Sequence, residues 1–177
     1  MTEPGAEIPR EGSCFPVTKE VAGQVLAEIA HNPRGTLPAE LEKISNGDDT
    51  DLAQLLWSMF REDPKSEGVL WGGTFAYMIL KRQSAERGSE LPLLPEGHGE
   101  VIFRDSQDAV RGDEKLGQFA GHRLDEISHS DPEFVGALRE MTKYSIDQDF
   151  IQYGAIVVYT AYKSLSTGRS LSQKLGL

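Results

Sequence analysis

Two Glu-x-x-His motifs, Glu28-Ile-Ala-His31 and Glu126-Ile-Ser-His129, carry the residue types best suited to chemistry in this chain. On a helix, positions i and i+3 share a face. Two such motifs with two further glutamates build the carboxylate-bridged di-iron centre of helical bundles. Glu28, His31, Glu126 and His129 are therefore the candidate ligands of a helical metalloprotein holding Fe or Zn. His122, Glu126 and His129 also share a face, a set able to hold one Zn²⁺. A solvated acidic face with two histidines is the plainer reading. Both Glu-x-x-His motifs stand at the end of their helix beside turn residues, not mid-helix facing a core. An internal repeat, set out below, places Glu126 and His129 opposite Lys43 and Asn46, so the halves do not supply equivalent ligands. The primary expectation is no cofactor.

A second constellation is a pair of Tyr-x-x-x-Lys motifs, Tyr77 with Lys81 and Tyr159 with Lys163. Residues four apart on a helix are neighbours. The Lys stem is expected to lie on the ring while its ammonium reaches water. The functional alternative is an anion or small-molecule pocket between two buried helices, lined by both pairs. Gly72 and Gly154 stand one and a half turns before each tyrosine. A glycine inside a helix costs about 1 kcal/mol relative to alanine, so its recurrence points to a close approach of two backbones or to space for a ligand.

The remaining signals are weak. His98, in Gly97-His-Gly-Glu100, falls in a segment expected to be a flexible loop. Cys14 lies in an expected tail, with no fixed histidine to activate it. There is no Gly-x-Ser-x-Gly elbow, no phosphate loop and no Gly-x-Gly-x-x-Gly.

A net charge of −10 and a pI near 4.9 argue against nucleic-acid binding through phosphates. They fit solubility, a basic partner or mimicry of an acidic surface. One cysteine cannot form an internal disulfide, which points to a cytoplasmic protein. Residues 1–12 have no apolar core for a signal peptide. The apolar runs near 69–80 and 150–162 are shorter than the roughly twenty residues a membrane span needs, so no membrane is expected.

Positioning these residues falls to a duplicated helical build. The stretch 151–163 (IQYGAIVVYTAYK) is apolar almost all round, as a buried helix must be, and 69–81 (VLWGGTFAYMILK) echoes it 82 positions earlier. Gly72 then matches Gly154, Tyr77 matches Tyr159 and Lys81 matches Lys163. Upstream, 51–61 lies over 133–143, with Leu56 on Leu138 and Met59 on Met141. With one residue dropped, 41–48 (LEKISNGD) lies over 124–131 (LDEISHSD), four identities in eight.

The spacing predicts a flexible tail over 1–16 and a helix over 18–31 capped by Thr18. A short helix from Pro38 to Ile44 follows, then an amphipathic helix capped by Asp48 or Thr50 and stopped at Asp63-Pro64. A buried helix over 67–87 completes the first copy. Residues 88–115 read as a connector, with 100–104 one short strand or, since nothing pairs with it, an extended segment, and 105–115 a charged loop. The second copy opens on a helix near Leu116, continues with one started by Ser130-Asp-Pro-Glu133, and ends with a buried helix stopped by Gly168.

The fold expected is all-α: a single helical-bundle domain, 17–177, of two degenerate repeats at about 37–87 and 119–168. The two buried helices pack about a pseudo-two-fold axis. Lacking a catalytic constellation, the chain reads as a non-enzymatic interaction or adaptor protein that binds a partner polypeptide or itself. The metalloprotein and the small-molecule binder are the alternatives.

Overall fold

The computed structural model describes residues 16–62, 67–111, 115–143 and 145–166, and every regular element within them is helical. In chain order these are α1 (Lys19–His31), α2 (Thr36–Lys43), a π turn (Ile44–Asp48), α3 (Thr50–Glu62) and α4 (Gly68–Glu86). After a non-helical stretch come α5 (His98–Arg111), α6 (Leu116–Ser130), α7 (Pro132–Thr142) and α8 (Gln148–Ser166). The expected tail to residue 15, Cys14, the Asp63-Pro64 stop and the Gly168 stop lie outside the described residues.

Helices α4 and α8 form the axis of the bundle. They run in the same direction: Gly68 faces Phe150 and Ile151 at one end, and the Tyr77 and Tyr162 rings lie 6.0 Å apart towards the other. Glycine allows the approach. A Cβ on Gly72 would stand 1.7 Å from the Ile151 carbonyl oxygen, and one on Gly154 would stand 2.2 Å from that of Val69. A Cβ on Gly73 would meet Leu56 Cδ2 at 2.3 Å, so the same helix also admits α3 closely.

Both axial helices are apolar nearly all round because they are covered on nearly all sides. Phe75, Ile79, Leu80, Ile156, Val157 and Val158 are fully buried. Each large apolar side chain removed from water contributes about 1.5–3 kcal/mol.

The outer helices are amphipathic and turn one face inward. Leu52, Leu55, Leu56 and Met59 of α3 are buried, as are Phe134, Ala137 and Leu138 of α7. Helix α1 opens on Thr18, whose Oγ1 accepts the Val21 N–H, and buries Val21, Ala22 and Val25. It packs on α7 and α4, while α5 packs on α3 and α8. Likewise α2 lies on α4, and α6 on α8.

Residues 98–111 correct the expected connector: they form α5, not an extended segment and a charged loop. Its inward face carries Ile102 and Phe103, both buried, with Ala109 and Val110 packed half-buried on the core and Gly99 on Leu55. The stripe keeps helical spacing (102, 103, 109, 110), but the prolines and glycines before it and the charged Arg104, Asp105 and Asp108 within it read as a loop. The cap of α3 is a second correction. Neither Asp48 nor Thr50 supplies it; the buried Asp49 carboxylate accepts the Leu52 N–H at 3.0 Å. Asp48 instead ends the π turn, where Gly47 adopts φ 121°. Among the described residues no helix is long and apolar enough to cross a membrane.

Candidate functional site

The most highly organised polar chemistry lies inside the bundle, at two aspartates that sequence reasoning did not single out as site residues. Asp131 caps α7 by accepting the Phe134 N–H on Oδ1 at 3.4 Å. The same oxygen accepts the Val17 N–H at 3.0 Å, and Oδ2 accepts the Tyr159 hydroxyl at 2.8 Å. Asp49 repeats the pattern at the start of α3. Its Oδ2 accepts the Tyr162 hydroxyl at 2.8 Å and the Leu94 N–H at 3.2 Å. Each carboxylate therefore ties together a helix start, a tyrosine of the axis and a backbone segment far away in sequence.

Burial raises the Asp131 carboxyl above its ordinary range, and the Tyr159 hydroxyl, Lys163 and the Val17 and Phe134 N–H groups offset part of that. Burial likewise pushes Tyr159 and Tyr162 well up, with the facing carboxylates Asp131 and Asp49 adding to it. Tyr77 is raised by burial, then by the charges of Asp48, Glu40 and Asp49. All three phenols stay protonated, and those of Tyr159 and Tyr162 donate to Asp131 and Asp49. With its lone pairs occupied by donors and its surface closed to solvent, neither aspartate is placed to take a proton from a substrate.

The Tyr-x-x-x-Lys pairs sit at the edge of this interior. Lys81 Nζ lies 5.5 Å from the centre of the Tyr77 ring and Lys163 Nζ 5.4 Å from that of Tyr159, both in cation–π range. Lys81 also faces Glu40 at 3.4 Å and Asp48 at 3.7 Å. The stems thus cover the rings, and the Lys81 ammonium reaches the surface. Gly72 and Gly154, instead of opening space for a ligand, are filled by the opposite backbone.

The Glu-x-x-His residues are not brought together. Among the described residues no group of three or more His, Cys, Asp or Glu side chains is gathered as a metal ion would need. Glu28 pairs with Arg82 of α4, and His31 is exposed at the end of α1. Glu126 pairs with Arg123 at 3.2 Å, while His129 Nδ1 bonds the Asp125 carbonyl of its own helix at 2.7 Å. The two motifs lie at the ends of separate outer helices, and Glu28, Glu126 and His129 are each engaged locally.

His98 is another correction. It lies in the first turn of α5, not in a loop, and its Nε2 stands 2.6 Å from Ser164 Oγ and 3.0 Å from the Ala161 carbonyl. A histidine beside a serine suggests a nucleophile, but Ser164 is buried and its hydroxyl also bonds the Ala161 carbonyl at 2.8 Å. The pair pins α5 to α8. One further interior feature escaped sequence reasoning: Gln83 Oε1 accepts the Thr18 N–H at 3.0 Å, while Gln83 Nε2 and Ser84 Oγ are buried without a partner.

At the surface, an open cleft is lined by Lys115, Gly117, Ile146 and Asp149 among others, where α6 and α8 begin. Asp149 already stands against Gly117, so a carboxylate occupies the place an anion would take. Large apolar side chains are exposed at Trp57, Leu93, Val101 and Ile146. Trp57 is the most ordered of these by contact: its ring meets Phe60 edge-on at 5.9 Å, and its Nε1 donates to Ser45 Oγ at 3.1 Å. No protein-family model, curated protein or solved structure matches this chain.

Proposed function

We propose that this chain is a non-enzymatic interaction protein of the cytoplasm, whose outer helices engage a partner polypeptide with α3 at the centre of the contact. The observation that carries the reading is Trp57, an indole left 38% exposed yet held in place by Phe60 and Ser45. A large, rigid, amphipathic ring on the surface is the kind of anchor that dominates binding energy in protein interfaces. The acidic exterior, with a net charge of −10, favours a partner of opposite charge and speeds the encounter. The interior supports the same reading, because its buried carboxylates are spent on holding helices together.

The test is site-specific photo-crosslinking in cells of the protein's own host, with the reactive group at position 57 or, as a control, at position 133 on α7. The reading expects one polypeptide captured at 57 and not at 133. It also expects Trp57→Ala to weaken the isolated complex at least tenfold, the loss of about 1.4 kcal/mol typical of such an anchor. Equal labelling at both positions, or turnover of a small substrate that Trp57→Ala leaves intact, would overturn it.

A further inference from the structure

We infer that the chain is an internal dimer: two four-helix units, α1–α4 and α5–α8, related by a two-fold axis along the α4/α8 seam, that exchange their first helices. This enlarges the three-helix repeat read from the sequence, because α5 becomes the counterpart of α1.

The first support is reciprocity. Under a two-fold, if one element meets the mate of another, the second must meet the mate of the first. Gly72 closes on Ile151 and Gly154 closes on Val69, with 69 and 151, like 72 and 154, separated by the same interval. Parallel axial helices are what a two-fold along the seam requires. The outer layer obeys the same rule: α1 lies on α7 and α5 on α3, α2 on α4 and α6 on α8.

The second support is the polar clasps. Asp49 and Asp131 stand 82 apart, the interval of the axial helices, so the one-residue gap falls before Asp49, and Asp131 matches Asp49 and not Asp48. Both are buried and both cap the third helix of their unit. Each accepts a backbone N–H from the segment entering the other unit's first helix, Leu94 for Asp49 and Val17 for Asp131. The lysines lie over the matched tyrosines at 5.5 Å and 5.4 Å. Even the one gap in the alignment has a physical place. From Leu41 to Asp49 the first unit has one residue more than the second has from Leu124 to Asp131. The π turn Ile44–Asp48 holds that extra residue, as a π turn does when a helix gains one position. The match breaks at one hydroxyl: Asp49 takes its bond from Tyr162, where strict symmetry would offer Tyr77.

Exchange of first helices means that neither unit closes its own core. It also makes the order in which the units are joined arbitrary. If the two-fold holds, a link from α8 back to α1 spans the same path as the link from α4 to α5.

A circular permutant tests this. The chain is opened between Glu90 and Leu91, and residue 166 is joined to Val17 through a copy of residues 85–93 that replaces 167–177 and 1–16. A second permutant with the same opening keeps every residue and joins 177 to 1 directly. The inference expects both to be monomers with the parent's helical circular dichroism and one cooperative melting transition, within about 5 °C of the parent. Failure of the short join alone would show that the two links are not equivalent in space. Failure of both would show that the opened link is not equivalent to the gap between residues 166 and 17. Either result overturns the internal dimer.

Discussion

Asp131 illustrates how much one buried side chain can hold. Replacing it with alanine removes a helix cap, which costs about 1 kcal/mol. It also strands the Tyr159 hydroxyl and the Val17 N–H, each at about 1–3 kcal/mol when buried. We expect Asp131→Ala to lose about 3–5 kcal/mol in urea unfolding, and Asp49→Ala a similar amount. Tyr159→Phe, which removes a single bond, should lose about 1–2 kcal/mol. The tyrosines set the alkaline limit. Their folded-state pKa values are raised above the ordinary phenol value of about 10. A group raised in this way contributes stability that is complete below the unfolded pKa and lost as pH rises past it. Absorbance at 295 nm should therefore report ionisation of Tyr77, Tyr159 and Tyr162 only together with loss of the helical signal, above pH ~10. Ionisation of all tyrosines before any helix is lost would contradict that. Little of this network was legible beforehand. Ser130-Asp-Pro-Glu133 signalled a helix start, but Asn46-Gly-Asp-Asp-Thr50 offered Asp48 and Thr50 as caps and not Asp49, and spacing alone does not say which carboxylate also meets a tyrosine over 100 residues away.

Elements were read best where burial and period agreed. The two axial helices announced themselves by being apolar all round, and α3 and α7 by full amphipathic stripes. Helix α5 was missed although Ile102, Phe103, Ala109 and Val110 keep helical spacing, because charged residues separate them and prolines and glycines precede them. Glycine gives the clearest prediction at this scale, since identical substitutions should act with opposite sign. Gly72→Ala and Gly154→Ala force a methyl into a facing carbonyl and should each cost about 3 kcal/mol or more, well beyond the helix-propensity gain. Gly23, Gly121 and Gly136 face open space on α1, α6 and α7, and alanine there should stabilise by about 0.5–1 kcal/mol each. Denaturation midpoints of the five variants, measured side by side, check both signs.

For the molecule as a whole, the charge imbalance of −10 acts as a diffuse repulsion, and surface ion pairs such as Arg104–Glu100 and Lys143–Glu140 are exposed and of small individual worth. Raising sodium chloride from 20 to 300 mM should therefore raise the melting temperature, by about 2–4 °C; a fall would mean that the surface pairs outweigh the repulsion. The all-helical architecture was legible from sequence because apolar period survives divergence, whereas the exchange of α1 and α5 was not, because partners far apart in sequence leave no local trace. That exchange also has a consequence for biosynthesis. The Val17–Asp131 bond spans 114 residues, so α1 leaves the ribosome long before α7 exists to receive it. At 5–20 residues per second, Val21 and Val25 wait on the order of ten seconds for that partner. A nascent chain so arranged folds late and all at once, and in that interval it depends on chaperones more than its size alone would suggest.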